Sequence, residues 1–236
     1  MTTTLPLIAT GSILHFFLQG GFFMFLLLLC SVTSVTVILL RAFALRRKLV
    51  VPPEIERAIE DLQPNENTAA IVSLAREARL SDAPFSRIVV VGLRHLQWPK
   101  SENIEAVQTR ARHEIVGLEK GLVVLEVIVG IAPLLGLLGA VSGLVTVFAN
   151  LGDSATISDP RGIAKGISEA LSTTVVGMAI AIPTLIAYSY FSKRVETMAV
   201  EMESLVTDLL AKCYYQKNQQ FGEPVSRLAR DLQEVL

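Results

Sequence analysis

Three long apolar runs alternate with stretches in which charged residues return every three or four positions, a pattern that predicts a helical protein crossing a membrane. The first run, Ile13 to Leu40, holds no charge, and about 20 consecutive apolar residues suffice to cross a hydrocarbon core about 30 Å thick. The second, Leu122 to Leu151, carries only Glu126, close to one end. The third follows Pro160, and between Lys165 and Lys193 its one charged side chain is Glu169. The chain is therefore divided into an external N-terminus (1–12), a first span (13–40) and a cytoplasmic helical region (41–100). A long helix including the second span (101–151), an external turn (152–159), a long helix including the third span (160–215) and a cytoplasmic tail (216–236) complete it. The predicted class is an all-α integral membrane protein whose second and third spans extend into a cytoplasmic helical bundle.

Charge sets the expected orientation. Arg41, Arg46, Arg47 and Lys48 follow the first span, and Lys193 and Arg194 follow the third. By the positive-inside rule those ends are cytoplasmic, the N-terminus outside and, after three crossings, the C-terminus inside. No Lys or Arg precedes Arg41, which argues against a cleaved leader with a basic leading region and predicts that the first run is retained.

Between the first two spans, Pro52-Pro53 starts a helix to Leu62, the Gln63-Pro64-Asn65 cluster breaks it, and further helices are expected over Thr68–Leu80 and Pro84–Leu96. From Ser101, placed as the N-cap, Ile104, Val107, Ala111, Ile115, Leu118, Leu122 and Leu125 recur at helical steps. They predict one unbroken helix to Leu151, roughly 75 Å long at about 1.5 Å per residue, kinked at Pro133. After the third span Val195, Met198, Met202, Leu205 and Leu209 keep the same spacing, Gln216 to Pro224 reads as a linker, and Val225 onward as a short amphipathic helix.

Composition agrees with a membrane protein: 51% of residues are hydrophobic and the mean hydropathy is +0.51. A net charge of −1 offers no basic excess for nucleic acid. Cys30 in an apolar run and Cys213 in a charged one suggest no disulfide. No metal spacing, nucleophile or phosphate loop occurs, so neither an enzyme nor a cofactor is expected. A secondary transporter is disfavoured by three unequal spans without repeated halves.

The second span is rich in small residues. Gly139 and Gly143 form a GxxxG, Gly136 and Ala140 repeat its spacing, and Gly162, Gly166 and Ala170 repeat it again in the third span. In lipid, close backbone approach replaces the missing hydrophobic drive, so these residues, with Pro133, Gly177 and Pro183, predict a helix-packing seam.

Glu169 requires a partner or water. It lies roughly 14 Å along the helix from Pro160, and a charge near the centre of a span costs at least about 2.5–3.5 kcal/mol. Ser168, Ser172, Thr173, Thr174 and Thr184 surround it in sequence. Two roles stand open: a proton-handling carboxylate on a polar path, or a buried staple between subunits satisfied by hydroxyls. Glu126, nearer the membrane edge, is read as reaching water or Lys120.

The stretches Ala132-Pro133-Leu134-Leu135-Gly136-Leu137-Leu138-Gly139 and Gly166-Ile167-Ser168-Glu169-Ala170-Leu171, then Thr174, Gly177, Ala181-Ile182-Pro183 and Tyr188, resemble the ExbB/TolQ/MotA proton-channel family, in its three-span ExbB/TolQ branch. The resemblance implies a homopentameric ring in the bacterial inner membrane around a single-span ExbD/TolR-like partner, coupling proton flow to work through a TonB/TolA-like protein. It also implies Glu169 and Thr174 on the inner surface. Where ExbB and TolQ carry a second-span Thr this chain has Ala140, so the hydroxyl path is incomplete unless Ser142 or Thr173 substitutes. At about 100° per residue Thr174 lies about 140° round the helix from Glu169 and Thr173 about 40°, so one threonine is expected on the pore and the other at a subunit interface. The alternative function is a non-conducting scaffold that assembles a partner helix.

Overall fold

The computed structural model describes residues 21–62, 69–77, 82–153 and 160–234. Eight helices occur among them: α1 (Gly21–Ala44), α2 (Arg47–Val50), α3 (Pro53–Glu60), α4 (Ala69–Arg76), α5 (Pro84–Arg94), α6 (Lys100–Glu119), α7 (Leu122–Asp153) and α8 (Pro160–Glu234). No strand occurs among the described residues. The external N-terminus (1–12), the start of the first span (13–20) and residues 154–159 of the turn expected at 152–159 lie outside them, while residues 152 and 153 end α7.

The chain forms two compact units, one from the first helix up to Ala42 with Gly121–Ser192, the other from Phe43–Lys120 with the residues from Lys193 onward. The first unit contains helices long and apolar enough to cross a membrane: α1, α7 as Leu122–Ala149, and α8 from Gly166. Their shared core is Met24, Leu27, Ile128, Ala132 and Ala181, flanked by Cys30, Leu135, Val176 and Ile180. Hydroxyls of α1 are used in two ways. Thr36 donates to the Val32 carbonyl of its own helix (2.7 Å), whereas buried Ser34 meets Thr184 of α8 at 2.7 Å. Thr184 in turn donates to Ile180 O (2.7 Å), which leaves Ser34 as the donor between helices.

In the second unit prolines at the first helical positions of α3 and α5 start helices at no cost in hydrogen bonds. The Ile88–Val91 run is the buried face of α5, with Ile88 and Val89 fully enclosed. The apolar residues of α8 that follow the third span pack there as Val195, Met198, Met202, Val206 and Leu209. Polar contacts fix the register: Arg194 Nε donates to Leu45 O (2.8 Å), and Lys212 Nζ donates to Ile59 O and Glu60 O (2.8 and 3.1 Å), where a cation suits a helix C-terminus. Arg47 pairs with both Glu56 and Glu201. Those bonds, Glu201's foremost, raise its pKa further above the ordinary arginine value.

Three expectations are corrected. The helix over 101–151 is broken at Lys120–Gly121: Gly121 takes φ +83°, a conformation open to glycine because it has no Cβ. A Cβ there would lie 2.9 Å from Arg41 Nε, so the Arg41 side chain packs against the bare Cα of the break. Ser101 is not the cap: α6 begins at Lys100 behind Pro99, with no side-chain cap. The linker expected over Gln216–Pro224 is helical, since α8 runs to Glu234. Gly222 and Pro224 carry helix penalties of about 1 and about 3 kcal/mol, and a proline removes one bond of the ladder while the turns on either side keep theirs.

The predicted α6 stripe is also divided. Val107 and Leu118 enter the core, but the remainder of that face is Asn103 and Glu114, while Ile104, Ala111 and Ile115 line a groove of about 580 Å³ with Ala199 and Val200 of α8. The two buried polar residues find partners, though Asn103 Oδ1 meets no donor among the described residues. Asn103 Nδ2 donates to Gly92 O (3.0 Å) and to the Tyr214 hydroxyl (3.1 Å), which itself donates to Trp98 O (2.9 Å). Glu114 is held by Arg87 and Arg110.

Candidate functional site

Small residues decide how α7 and α8 meet. A Cβ on Gly177 would lie 2.6 Å from Ala132 O and 3.2 Å from Gly136 Cα; one on Gly136 would lie 2.8 Å from Thr173 O; one on Gly143, 2.9 Å from Ala170 Cβ. A Cβ on Gly139 would meet Thr173 Oγ1 at 3.0 Å and Phe23 Cβ at 3.1 Å, and one on Gly166 would clash with Val147. The contacts pair α7 and α8 antiparallel, Ala132–Gly177 and Gly136–Thr173 backbone to backbone, Gly143–Ala170 and Val147–Gly166 through side chains. Pro133 is half-buried beside this line and Pro183 is exposed on α8.

That proximity brings two threonines to one acceptor. Thr173 Oγ1 donates to Gly136 O (3.1 Å), shared with Ala170 O of its own helix (2.8 Å). Thr174 Oγ1 also donates to Gly136 O, at 3.2 Å. Side chains 100° apart on a helix reach the same carbonyl because Gly136 has no side chain to hold the helices apart. Thr173 is 4% exposed and closed within the seam; Thr174 is half-buried. Replacing Thr173 by Val keeps the volume and removes the hydroxyl, so a loss of about 1 kcal/mol is expected. Thermal unfolding in detergent checks this, with Thr173→Ser retaining the native midpoint and an unshifted Thr173→Val midpoint counting against it.

Glu169 is exposed on the surface of its unit, as are Ser168 and Ser142. It immediately precedes Ala170 as Ser142 precedes Gly143, so the register sets the carboxyl and that hydroxyl at one level of the seam. On the helical wheel Ser142 lies about 20° from Leu135 and Glu169 about 20° from Ile180, and both reference residues pack on the α1 cluster. Ala181 of the same cluster lies about 20° from Thr174, so α1 packs over the arc of α8 between Glu169 and Thr174, with Thr173 inside that arc. Ser172 donates back to Ser168 O (2.8 Å) and Thr146 to Ser142 O (3.0 Å), bonds that leave their helices self-contained. Ala140 is 5% exposed, packed in the seam. Glu126 is exposed. No group of three potential metal ligands occurs among the described residues.

The buried Ser34–Thr184 bond joins residues 150 positions apart; the sequence offers Thr184 as one of the hydroxyls around Glu169 and does not pair it with Ser34.

The three long apolar helices and the small-residue seam define a multi-pass helical membrane protein. Residues 80–204 match the model of the MotA/TolQ/ExbB proton channel family, and the chain belongs to that family. It is 33% identical over 186 residues to an ExbB-like biopolymer transport protein of Synechocystis sp., covering 76% of this chain and 70% of that one. It is 32% identical over 187 residues to an ExbB homolog of Methanothermobacter thermautotrophicus (79% of this chain, 65% of that one). Against the biopolymer transport protein ExbB of Neisseria meningitidis it is 25% identical over 207 residues (82% and 91%).

Proposed function

We propose that the chain is a proton-channel and motor subunit that energises transport across a cell envelope, with Glu169 as its titrating group. One observation carries this reading: the single acidic side chain of the third span is exposed on the surface of its unit. Facing lipid, that carboxylate would cost at least about 2.5–3.5 kcal/mol, so its surface is better placed against further copies around an aqueous interior. The apolar groove between α6 and α8 gives the second unit a surface for the same assembly. Family membership supports a homopentamer in the inner membrane, N-terminus outside, with a single-span ExbD/TolR-like protein at its centre and a TonB/TolA-like protein beyond it. In this arrangement Glu169 binds and releases a proton, or sets the potential for a carboxylate on the partner helix, Ser142 lies at its level, and Thr174 stands about 140° round α8 from it.

Ion flux into vesicles loaded with a pH dye, with the single-span partner co-expressed, tests the proposal. Glu169→Gln and Glu169→Ala are expected to abolish flux while the complex still assembles. Unchanged flux in Glu169→Gln would remove Glu169 from the path. The second reading, a non-conducting scaffold, is favoured by Ala140, which puts a methyl group in the seam at the position of the family threonine; it predicts no flux even with Glu169 intact and the partner bound.

A further inference from the structure

The connection after α1 sorts its side chains sharply. Leu45, Val50 and Val51 are buried, 1% exposed or less, and Arg47 is taken by Glu56 and Glu201. Arg46, with extended backbone (φ −75°, ψ 128°), and Lys48 both point outward, and neither pairs with a carboxylate among the described residues. Beside them stand two large apolar side chains that the fold does not use: Phe43 is 59% and Leu49 58% exposed. The Arg46 guanidinium lies over the Phe43 ring, 4.9 Å from its centroid.

We propose that Phe43, Arg46, Lys48 and Leu49 form a docking surface for the headgroup of an anionic phospholipid in the membrane that the chain crosses. Charge complementarity identifies the occupant. The acids near this segment, Glu56 and Glu201, are both engaged by Arg47, which leaves two cations with no carboxylate partner among the described residues and a planar guanidinium suited to a phosphate. Phe43 and Leu49 exclude a purely aqueous anion as the natural occupant, because an exposed aromatic and aliphatic pair beside cations matches the boundary between headgroups and acyl chains. Phe43 also belongs to the last turn of a 24-residue apolar helix, so the patch is continuous with a membrane-crossing element. The inference rests on the spanning of the membrane and not on proton conduction.

The test uses the full chain in nanodiscs of phosphatidylcholine doped with phosphatidylglycerol, with retained lipids counted by native mass spectrometry. The wild-type protein is expected to retain phosphatidylglycerol preferentially. Arg46→Gln with Lys48→Gln should reduce that preference about tenfold, since each cation near a charged surface adds several-fold to binding. The swap Arg46→Lys with Lys48→Arg should keep it, and so should Arg112→Gln, which removes a cation elsewhere in the unit. A preference unchanged by the double Gln variant, or lost equally in Arg112→Gln, overturns the proposal. A second measurement needs no variant: the melting midpoint should rise with phosphatidylglycerol and not with phosphatidylcholine or inorganic phosphate. A rise with inorganic phosphate alone would mean a free-anion site and would equally overturn it.

Discussion

Gly177→Val prevents the membrane unit from closing, and even Gly177→Ala lowers its stability by about 1–3 kcal/mol, the usual range for overpacking a tight contact. The reason is that the obstacle is backbone. A Cβ at this position would sit 2.6 Å from the Ala132 carbonyl oxygen and 3.2 Å from Gly136 Cα, and neither atom can rotate aside as a long side chain would. Relief requires α7 and α8 to separate, which lengthens the Thr173 and Thr174 bonds to Gly136 O and opens the line from Ala132 to Val147. An internal control lies on the partner helix α7. A Cβ on Gly130 meets nothing within 4 Å, so Gly130→Ala should be neutral or stabilising by up to about 1 kcal/mol through helix propensity. Unfolding midpoints in detergent for the three variants decide the matter; Gly177→Ala melting with the wild type while Gly130→Ala falls would reverse the assignment of the seam.

Glu114→Gln is expected to destabilise the second unit by about 2–3 kcal/mol. Arg87 grips the carboxylate through two bonds, Nε to Oε1 at 3.0 Å and an Nη to Oε2 at 2.6 Å, and Arg110 approaches Oε1 at 2.5 Å from one turn earlier on α6. The acid side chain is 8% exposed, its two partners 39% and 35%. Removing the charge leaves two guanidiniums facing each other, which in a fully buried setting costs about 3–5 kcal/mol; partial exposure of both arginines screens this and lowers the figure. The apolar triple replacement Arg87→Met, Arg110→Met, Glu114→Leu should recover most of the loss, because desolvation of the ions disappears with their attraction. Circular-dichroism melts of the single and triple variants provide the measurement. A single variant as stable as wild type would show that the arginines find water without penalty.

Much of the architecture was legible in the pattern of the residues. Runs such as Leu122–Leu151 exceed the length of a bilayer crossing and have no alternative place to bury their side chains, so span and helix follow together. Pro53 and Pro84 announced helix starts because a missing N–H is harmless there. The break at Gly121 left a weaker trace: Gly117 and Gly121 both interrupt a helical pattern, yet a glycine alone is compatible with helix, and the φ of +83° is set in the folded chain, where Arg41 lies alongside. Asn103 and Glu114 had the same ambiguity. On α6 alone they look like solvent-facing residues, and the predicted stripe through Ile104, Ala111 and Ile115 is the more apolar one.

For the candidate site, residue types and local spacing determined that Glu169 is an isolated carboxylate in an apolar helix, that small residues recur at four-residue steps on α7 and α8, and that Thr173 and Thr174 point 100° apart. These are properties of one helix at a time, set by covalent geometry and by the cost of charge in hydrocarbon. Only the tertiary structure decided that Gly136 lies opposite Thr173, that both threonines therefore share one carbonyl, and that Ser34 reaches Thr184. Helical periodicity fixes directions around an axis, but the register of two axes depends on which backbones can touch, and that is settled jointly by residues distant in the chain.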